Sequence, residues 1–243
     1  MRASPAIAEL LAPLRADPAA AAVPEQTRMT LIELARRYRT VACVSGRSAA
    51  VARQMVAIGS IAYIGNHGSE LLAPGSREAI VDPEVASWAA RVHRFADRAD
   101  TPSLQQLRIR REDKGAIVAF HWRGAPDEPA ALVAVAALEL AAQDAGLHTH
   151  RGRKVLEIRP PVAIDKGRGI RRLLAEHPPT TALYVGDDHT DVDAFAGLRE
   201  LLGEHAVCVG VRSEETPAEL EAAADAMVDG PPGVRELLGL LLA

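Results

Sequence analysis

Between residues 187 and 193 the chain places Asp187, Asp188, Asp191 and Asp193, directly after the apolar run Leu183-Tyr184-Val185 that Gly186 closes. Such a run, followed by Gly and acidic residues, reads as a buried strand ending in a loop that opens a helix. Carboxylates packed at one strand end repel each other, and a hard divalent cation such as Mg²⁺ is the first candidate to offset the repulsion. The alternative is a solvated acidic helix start, where Asp is favoured by free N–H groups and the dipole. Ser45-Gly46-Arg47 and Lys166 each follow a similar pattern, a polar residue at the junction of an apolar run and a helix. A hydroxyl among free backbone N–H groups, a lysine and a metal-binding cluster together suit a phosphoryl group, because they supply donors, a fixed cation and a bridging metal. Singly, Ser-Gly-Arg also reads as a helix cap and Lys166 as a solvated charge.

Three such loops share one end of a sheet only if parallel strands with crossovers position them. Apolar Met29, Ile32, Leu34 and Ala35 fit one face of a helix over 25–38, and Pro24 falls near its start. A strand over 40–44, a helix over 49–58, a strand over 61–64 and a polar loop over 65–70 follow. Beyond residue 160 the pattern resumes with a helix from Lys166 to Glu176, the strand before the acidic loop, a strand over 206–211, a helix over 217–224, a short strand over 226–228 and a closing helix from Gly233. This alternation predicts an α/β fold with a parallel sheet, whose chemistry lies at the strand ends. Between the halves, a helix over 84–99, strands over 103–111, 116–122 and 154–158, and an Ala-rich helix over 129–145 predict a smaller inserted α+β domain. The core domain is thus 1–75 with 160–243, and the insert is 76–159. Residues 1–22 are rich in Ala and Pro, with Pro5, Pro13 and Pro18 interrupting any long helix.

The chain has 243 residues and a net charge of −4, with its Lys and Arg spread along it, which argues against nucleic acid as a partner. Cys43 and Cys208 each sit in an apolar run, as small buried thiols do in a reducing compartment. No apolar stretch approaches the roughly 20 residues that span a bilayer, and Met1-Arg2-Ala3-Ser4-Pro5 lacks a signal-peptide core, so a cytoplasmic location without membrane contact is expected.

The order Val44-Ser45-Gly46-Arg47, Gly65-Asn66-His67-Gly68, Glu157-Ile158-Arg159-Pro160-Pro161, Lys166-Gly167 and Gly186-Asp187-Asp188-His189-Thr190-Asp191 resembles the haloacid-dehalogenase superfamily. More narrowly it resembles the trehalose-6-phosphate phosphatases, from about Leu11 onward. The resemblance implies a Rossmann-like core with an α+β cap, and Mg²⁺-dependent hydrolysis of trehalose 6-phosphate to trehalose and phosphate, a step of trehalose biosynthesis. It implies that Ser45 hydrogen-bonds the transferring phosphoryl group and that Lys166 balances charge beside it. Asp187 would ligate Mg²⁺, with Asp188 and Asp191 supporting the metal or its waters. The insert would be a cap that excludes water. Within it Arg111-Glu112-Asp113-Lys114-Gly115 and His121-Trp122-Arg123 resemble family cap motifs, which makes Glu112 and Lys114 candidates for the sugar hydroxyls. Those two also read as a surface ion pair. Arg47, Asn66, His67 and Glu157 are the remaining substrate-binding candidates, and a trehalose-phosphate synthase is the implied partner.

One departure qualifies this reading. Family members begin with an apolar strand and Asp-x-Asp-Gly-Thr-Leu-Ala-Pro, the first Asp being the nucleophile and the second the general acid and base. Leu11-Ala12-Pro13 fits the end of that motif, and an ungapped register places Ala6 at the nucleophile and Ala8 at the acid/base position. Alanine supplies neither a nucleophilic oxygen nor a proton, and Asp17, before Pro18, does not follow a strand. The first strand is therefore expected to be truncated or absent. The expectation is a phosphatase-family chain with impaired catalysis. The alternative is a pseudophosphatase that binds a sugar phosphate as a sensor or regulator.

Overall fold

The structure, a computed structural model, describes residues 23–243. Ala6, Ala8, Leu11-Ala12-Pro13 and Asp17, on which the missing-motif reading rests, lie outside the described residues. The chain divides into two compact units, one made of the chain up to Ala79 together with Asp165–Ala243, the other of Ile80–Ile164.

The first unit opens with α1 (Glu25–Arg37), β1 (Ala42–Val44), α2 (Ala49–Val56), β2 (Ala62–Gly65), a 3-10 turn over Asn66–Gly68 and β3 (Glu70–Leu72). Ser48 caps α2, its hydroxyl accepting from the Val51 N–H at 3.3 Å. β1 and β2 pair in parallel with Cys43 opposite Tyr63, as the helical crossover between them requires. β3 returns antiparallel to β2. The sequence reading left residue 70 in a loop, because a three-residue strand bounded by polar Glu70 carries too little periodicity to be seen.

The second unit contains β4 (Ile80–Val81), α3 (Pro83–Ala99), α4 (Pro102–Gln106), β5 (Arg110–Asp113), β6 (Val118–His121), α5 (Glu128–Asp144), β7 (His148–Gly152) and β8 (Val155–Arg159). Its antiparallel sheet runs β5-β6-β8-β7. Alternation sends Val118, Phe120, Leu156 and Ile158 to one face, where they form a core with Val92, Phe95, Val135 and Leu138 of the helices. Two expectations need correction. Residues 103–106 are helical, because Pro102 stands at the first helical position and Leu104 packs inward, so the strand begins only at Arg110. His148–Gly152 is a strand with no apolar alternation, held by pairing with β8.

The first unit resumes with α6 (Lys166–Leu174), β9 (Ala182–Gly186), α7 (Thr190–Leu202), β10 (Ala206–Arg212), α8 (Ala218–Ala223), β11 (Ala226–Asp229) and α9 (Gly230–Leu240). β9, β10 and β11 pair in parallel in the order β11-β10-β9. α6 packs on α7 and also on β2 and β3. One core joins Ile64 of β2 to Ile170, Phe195, Leu198, Cys208 and Leu220, so both sets of strands share buried apolar surface. Cys43 and Cys208 are free thiols, and burial raises both pKa values. No described helix is long and apolar enough to cross a membrane.

Candidate phosphoryl site

Glycines bring the site together. A Cβ at Gly197 of α7 would stand 2.5 Å from the Gly167 Cα of α6, and one at Gly167 would stand 2.3 Å from the Asp193 carbonyl oxygen. Real Cβ atoms do not approach backbone so closely, so the two helices meet at this depth only because both positions lack a side chain. The contact sets Lys166, the first residue of α6, against the start of α7. Its Nζ lies 2.6 Å from Asp191 Oδ1 and 3.3 Å from Asp188 Oδ1. Lys166 is only 6% exposed and Asp191 2%.

Asp191 is saturated. Oδ1 accepts from Lys166 and from the Tyr184 hydroxyl at 2.7 Å, and Oδ2 accepts from the Asp187 and Asp188 N–H groups at 2.9 and 3.1 Å. A carboxylate offers about four lone-pair positions, and these four bonds occupy them. Asp191, expected to support the metal or its waters, is held by these four bonds and anchors the loop. Gly186 makes room for it, since a Cβ there would stand 2.3 Å from the Asp191 carboxyl carbon. Tyr184, which sequence reasoning passed over as part of an apolar run, stacks edge-on against Phe195 with ring centroids 5.8 Å apart. Burial first, and then the Asp191 charge, push its hydroxyl well above the usual tyrosine range, so it stays a donor.

The two neighbours of this anchor differ. Asp188 Oδ1 takes the Thr190 N–H at 2.8 Å and the Asp191 N–H at 3.2 Å, a helix-cap arrangement, besides Lys166. Burial pushes the Asp188 pKa up, but the Thr190 hydroxyl and the Lys166 charge outweigh it and hold the carboxyl below its ordinary value. Asp187 is driven the other way: burial, then the Asp191 and Asp188 charges, raise it above the ordinary value despite Lys166. An accessible carboxylate repelled by its neighbours is a position where a cation lowers the energy. Among the described residues no three His, Cys, Asp or Glu side chains converge as a metal-ligand set. Mg²⁺ keeps several waters and takes one or two carboxylates plus substrate oxygens, a requirement that Asp187 and Asp188 can meet.

Ser45 follows β1 and Arg47 follows it in the same turn. The Ser45 N–H donates to the Ile64 carbonyl at 2.9 Å and its Oγ accepts from the Arg47 N–H at 3.1 Å. The loop 65–68 ties this turn to α6. The Asn66 N–H donates to the Arg47 carbonyl at 2.7 Å and the His67 N–H to the Ser45 carbonyl at 3.2 Å. The His67 ring sits where a Cβ on Gly46 would be, 2.7 Å from its Cε1. Gly68, at φ +111°, lies so near Asp165 that a Cβ would stand 2.0 Å from the Asp165 carbonyl oxygen. Asn66 is 2% exposed and its amide donates to Glu70 Oε1 at 2.7 Å, while Glu70 Oε2 accepts from the Ala49 N–H at 2.8 Å. Asn66, expected to bind substrate, is buried, with its amide held by Glu70. Glu70, which the sequence did not single out, is its partner and a clamp on the start of α2.

In the second unit, Glu112, Lys114 and Glu157 come together on the sheet face opposite the apolar core. Lys114 Nζ lies 2.9 Å from Glu157 Oε1 and 3.9 Å from Glu112 Oε2, and His121 Nε2 lies 2.6 Å from Glu112 Oε2. Register explains the grouping, since Glu112 and Glu157 both stand opposite Ala119 of β6. Burial would raise the Glu157 pKa, but the Arg159 and Lys114 charges outweigh it and hold it at about 2.

The family model described as Trehalose-phosphatase matches residues 11–230. The chain belongs to the trehalose-phosphatase family. Its match begins at Leu11, just after the register positions Ala6 and Ala8. The trehalose-phosphate phosphatase of Mycobacterium marinum is 32% identical over 227 residues, covering 91% of this chain and 56% of that protein. That of Mycobacterium tuberculosis is 34% identical over 229 residues, covering 90% and 56%. The chain thus spans 56% of the length of these curated relatives. A crystal structure titled trehalose-6-phosphate phosphatase related protein superimposes with a TM-score of 0.70 at 21% identity, covering 93% of this chain and 90% of that one. The fold is the haloacid-dehalogenase-like α/β fold of this family.

Proposed function

We propose that this trehalose-phosphatase-family chain takes trehalose 6-phosphate, with the phosphoryl group received by Ser45, Arg47 and Lys166 and Mg²⁺ held by Asp187 with the second oxygen of Asp188. The observation that carries the reading is the contrast at 187–191: Asp191 is consumed in four hydrogen bonds that fix the loop, while Asp187 stays accessible, with its pKa raised by partial desolvation and by the Asp191 and Asp188 charges. A bound Mg²⁺ would supply charge neutralisation for a phosphoryl oxygen. Ser45 donates a hydrogen bond to that group, and Lys166, held by Asp191, places a fixed positive charge beside it. Lys114, Glu112 and Glu157 of the second unit, a preformed set of donors and acceptors, suit sugar hydroxyls.

With Ala6 and Ala8 at the nucleophile and acid/base positions, covalent catalysis has no attacking oxygen, and turnover is impaired by several orders of magnitude. The same two alanines favour a second reading, a sugar-phosphate-binding regulatory pseudophosphatase whose partner is a trehalose-phosphate synthase. Thermal melting with and without trehalose 6-phosphate and Mg²⁺ tests the shared part of both. A rise in Tm that Ser45→Ala reduces is expected, and no rise at saturating ligand would refute binding.

A further inference from the structure

A second polar concavity lies in the unit Ile80–Ile164, at the edge strand β5, where Arg110 stands opposite His121, the partner of Glu112. It is a groove of about 740 Å³ lined by Arg108, Arg110, Arg111 and Arg123, with Asp100, Gln105, Ile109 and Gly124 completing it. Four guanidinium groups face one lining carboxylate in a chain whose net charge is −4. Arg111 is neutralised by Asp97 at 2.6 Å, and Asp100 accepts from the Gln105 amide at 3.2 Å. Arg108, Arg110 and Arg123 have no carboxylate partner among the described residues. Positive charges gathered in excess of their counter-charges repel, and an anion in the groove reduces that repulsion.

The backbone gives a second reason. Arg108 has φ +55°, and its N–H donates to the Gln105 carbonyl at 2.9 Å just past α4. This left-handed position after a helix is usually glycine, because a Cβ there costs about 1 kcal/mol. The negative end of a five-residue helix accounts for one nearby cation, not for three unpaired ones.

We propose that this groove binds a small molecule carrying two linked phosphates, of the pyrophosphate or nucleoside diphosphate class. Its volume is that of a small-molecule site, and arginine forks match phosphate oxygens two at a time. Three unpaired arginines exceed what one orthophosphate needs. Arg111 and Arg123 lie in the stretches that resemble family cap motifs, but diphosphate binding in this groove does not require sugar-phosphate binding beside it.

Calorimetric titration of the whole chain with inorganic pyrophosphate, ADP, orthophosphate and sulfate tests it. Pyrophosphate and ADP are expected to bind at least about tenfold more tightly than orthophosphate or sulfate, and the Arg108→Ala/Arg110→Ala/Arg123→Ala variant to lose at least about tenfold. ADP tighter than pyrophosphate assigns a nucleotide, and equal affinities assign the diphosphate alone. Arg108→Gly supplies a readout that survives misfolding of the triple variant: it raises the Tm of the unligated chain and weakens pyrophosphate. Sulfate binding as tightly as pyrophosphate, or unchanged pyrophosphate binding in both arginine variants, overturns the proposal.

Discussion

Lys166 and Asp191 form a buried ion pair, Nζ to Oδ1 2.6 Å, at the point where the glycines of α6 and α7 let two helix starts meet. The pair joins the fixed cation of the site to the loop that presents Asp187, so position and charge are set by one contact. Asp191→Ala leaves Lys166 buried without its main counter-charge and frees the Asp187 and Asp188 N–H groups. A loss of about 3–5 kcal/mol in urea unfolding is expected. Adding Lys166→Met to that variant recovers part of the loss, because the stranded charge is gone.

Gly197→Ala puts a methyl group against the Gly167 backbone, where the alternative is helix separation. A cost of about 1–3 kcal/mol is expected. Sugar-phosphate binding, read by ligand-dependent melting, weakens with it, since Lys166 moves with α6.

Asp187→Asn removes a charge that burial and two neighbouring carboxylates oppose. The metal-free variant is expected to melt higher than the parent near neutral pH, while the stabilisation that Mg²⁺ gives the parent is lost. An Asp187→Asn chain that Mg²⁺ still stabilises as strongly as the parent would remove Asp187 from the metal site.

Glu157 has its pKa depressed to about 2 from an ordinary 4.5, so its ionised form stabilises the fold. That contribution is present in full above about pH 4.5 and is lost as pH falls toward 2, because the unfolded chain takes up the proton first. It amounts to roughly 3 kcal/mol at most. Glu157→Gln should flatten this segment of the stability profile between those two pH values, measured by denaturant midpoints.

The periodic helices, the parallel strands and the three polar loops were legible because burial of one face writes itself into residue spacing. The order of motifs also pointed to the family. What was not legible were contacts between residues far apart in the chain. Glu70 looks like one more surface acid until it is seen clamping Ala49 and Asn66. Tyr184 hides in an apolar run, and only its bond to Asp191 shows that its hydroxyl has a task. His148–Gly152 carries no strand signal because its pairing with β8, rather than an apolar alternation, makes it a strand. Residues 103–106 were misread because Leu-Arg-Ile-Arg further on suggests alternation, whereas Pro102 starts a helix that Arg108 ends.

Phosphate release from trehalose 6-phosphate with Mg²⁺, by this chain and by its Ala6→Asp/Ala8→Asp variant, tests the central claim most directly. The account predicts that the unaltered chain binds the sugar phosphate but turns it over several orders of magnitude more slowly than the variant. Turnover by the unaltered chain at about 1 s⁻¹ or faster, the range of ordinary enzymes, would contradict it.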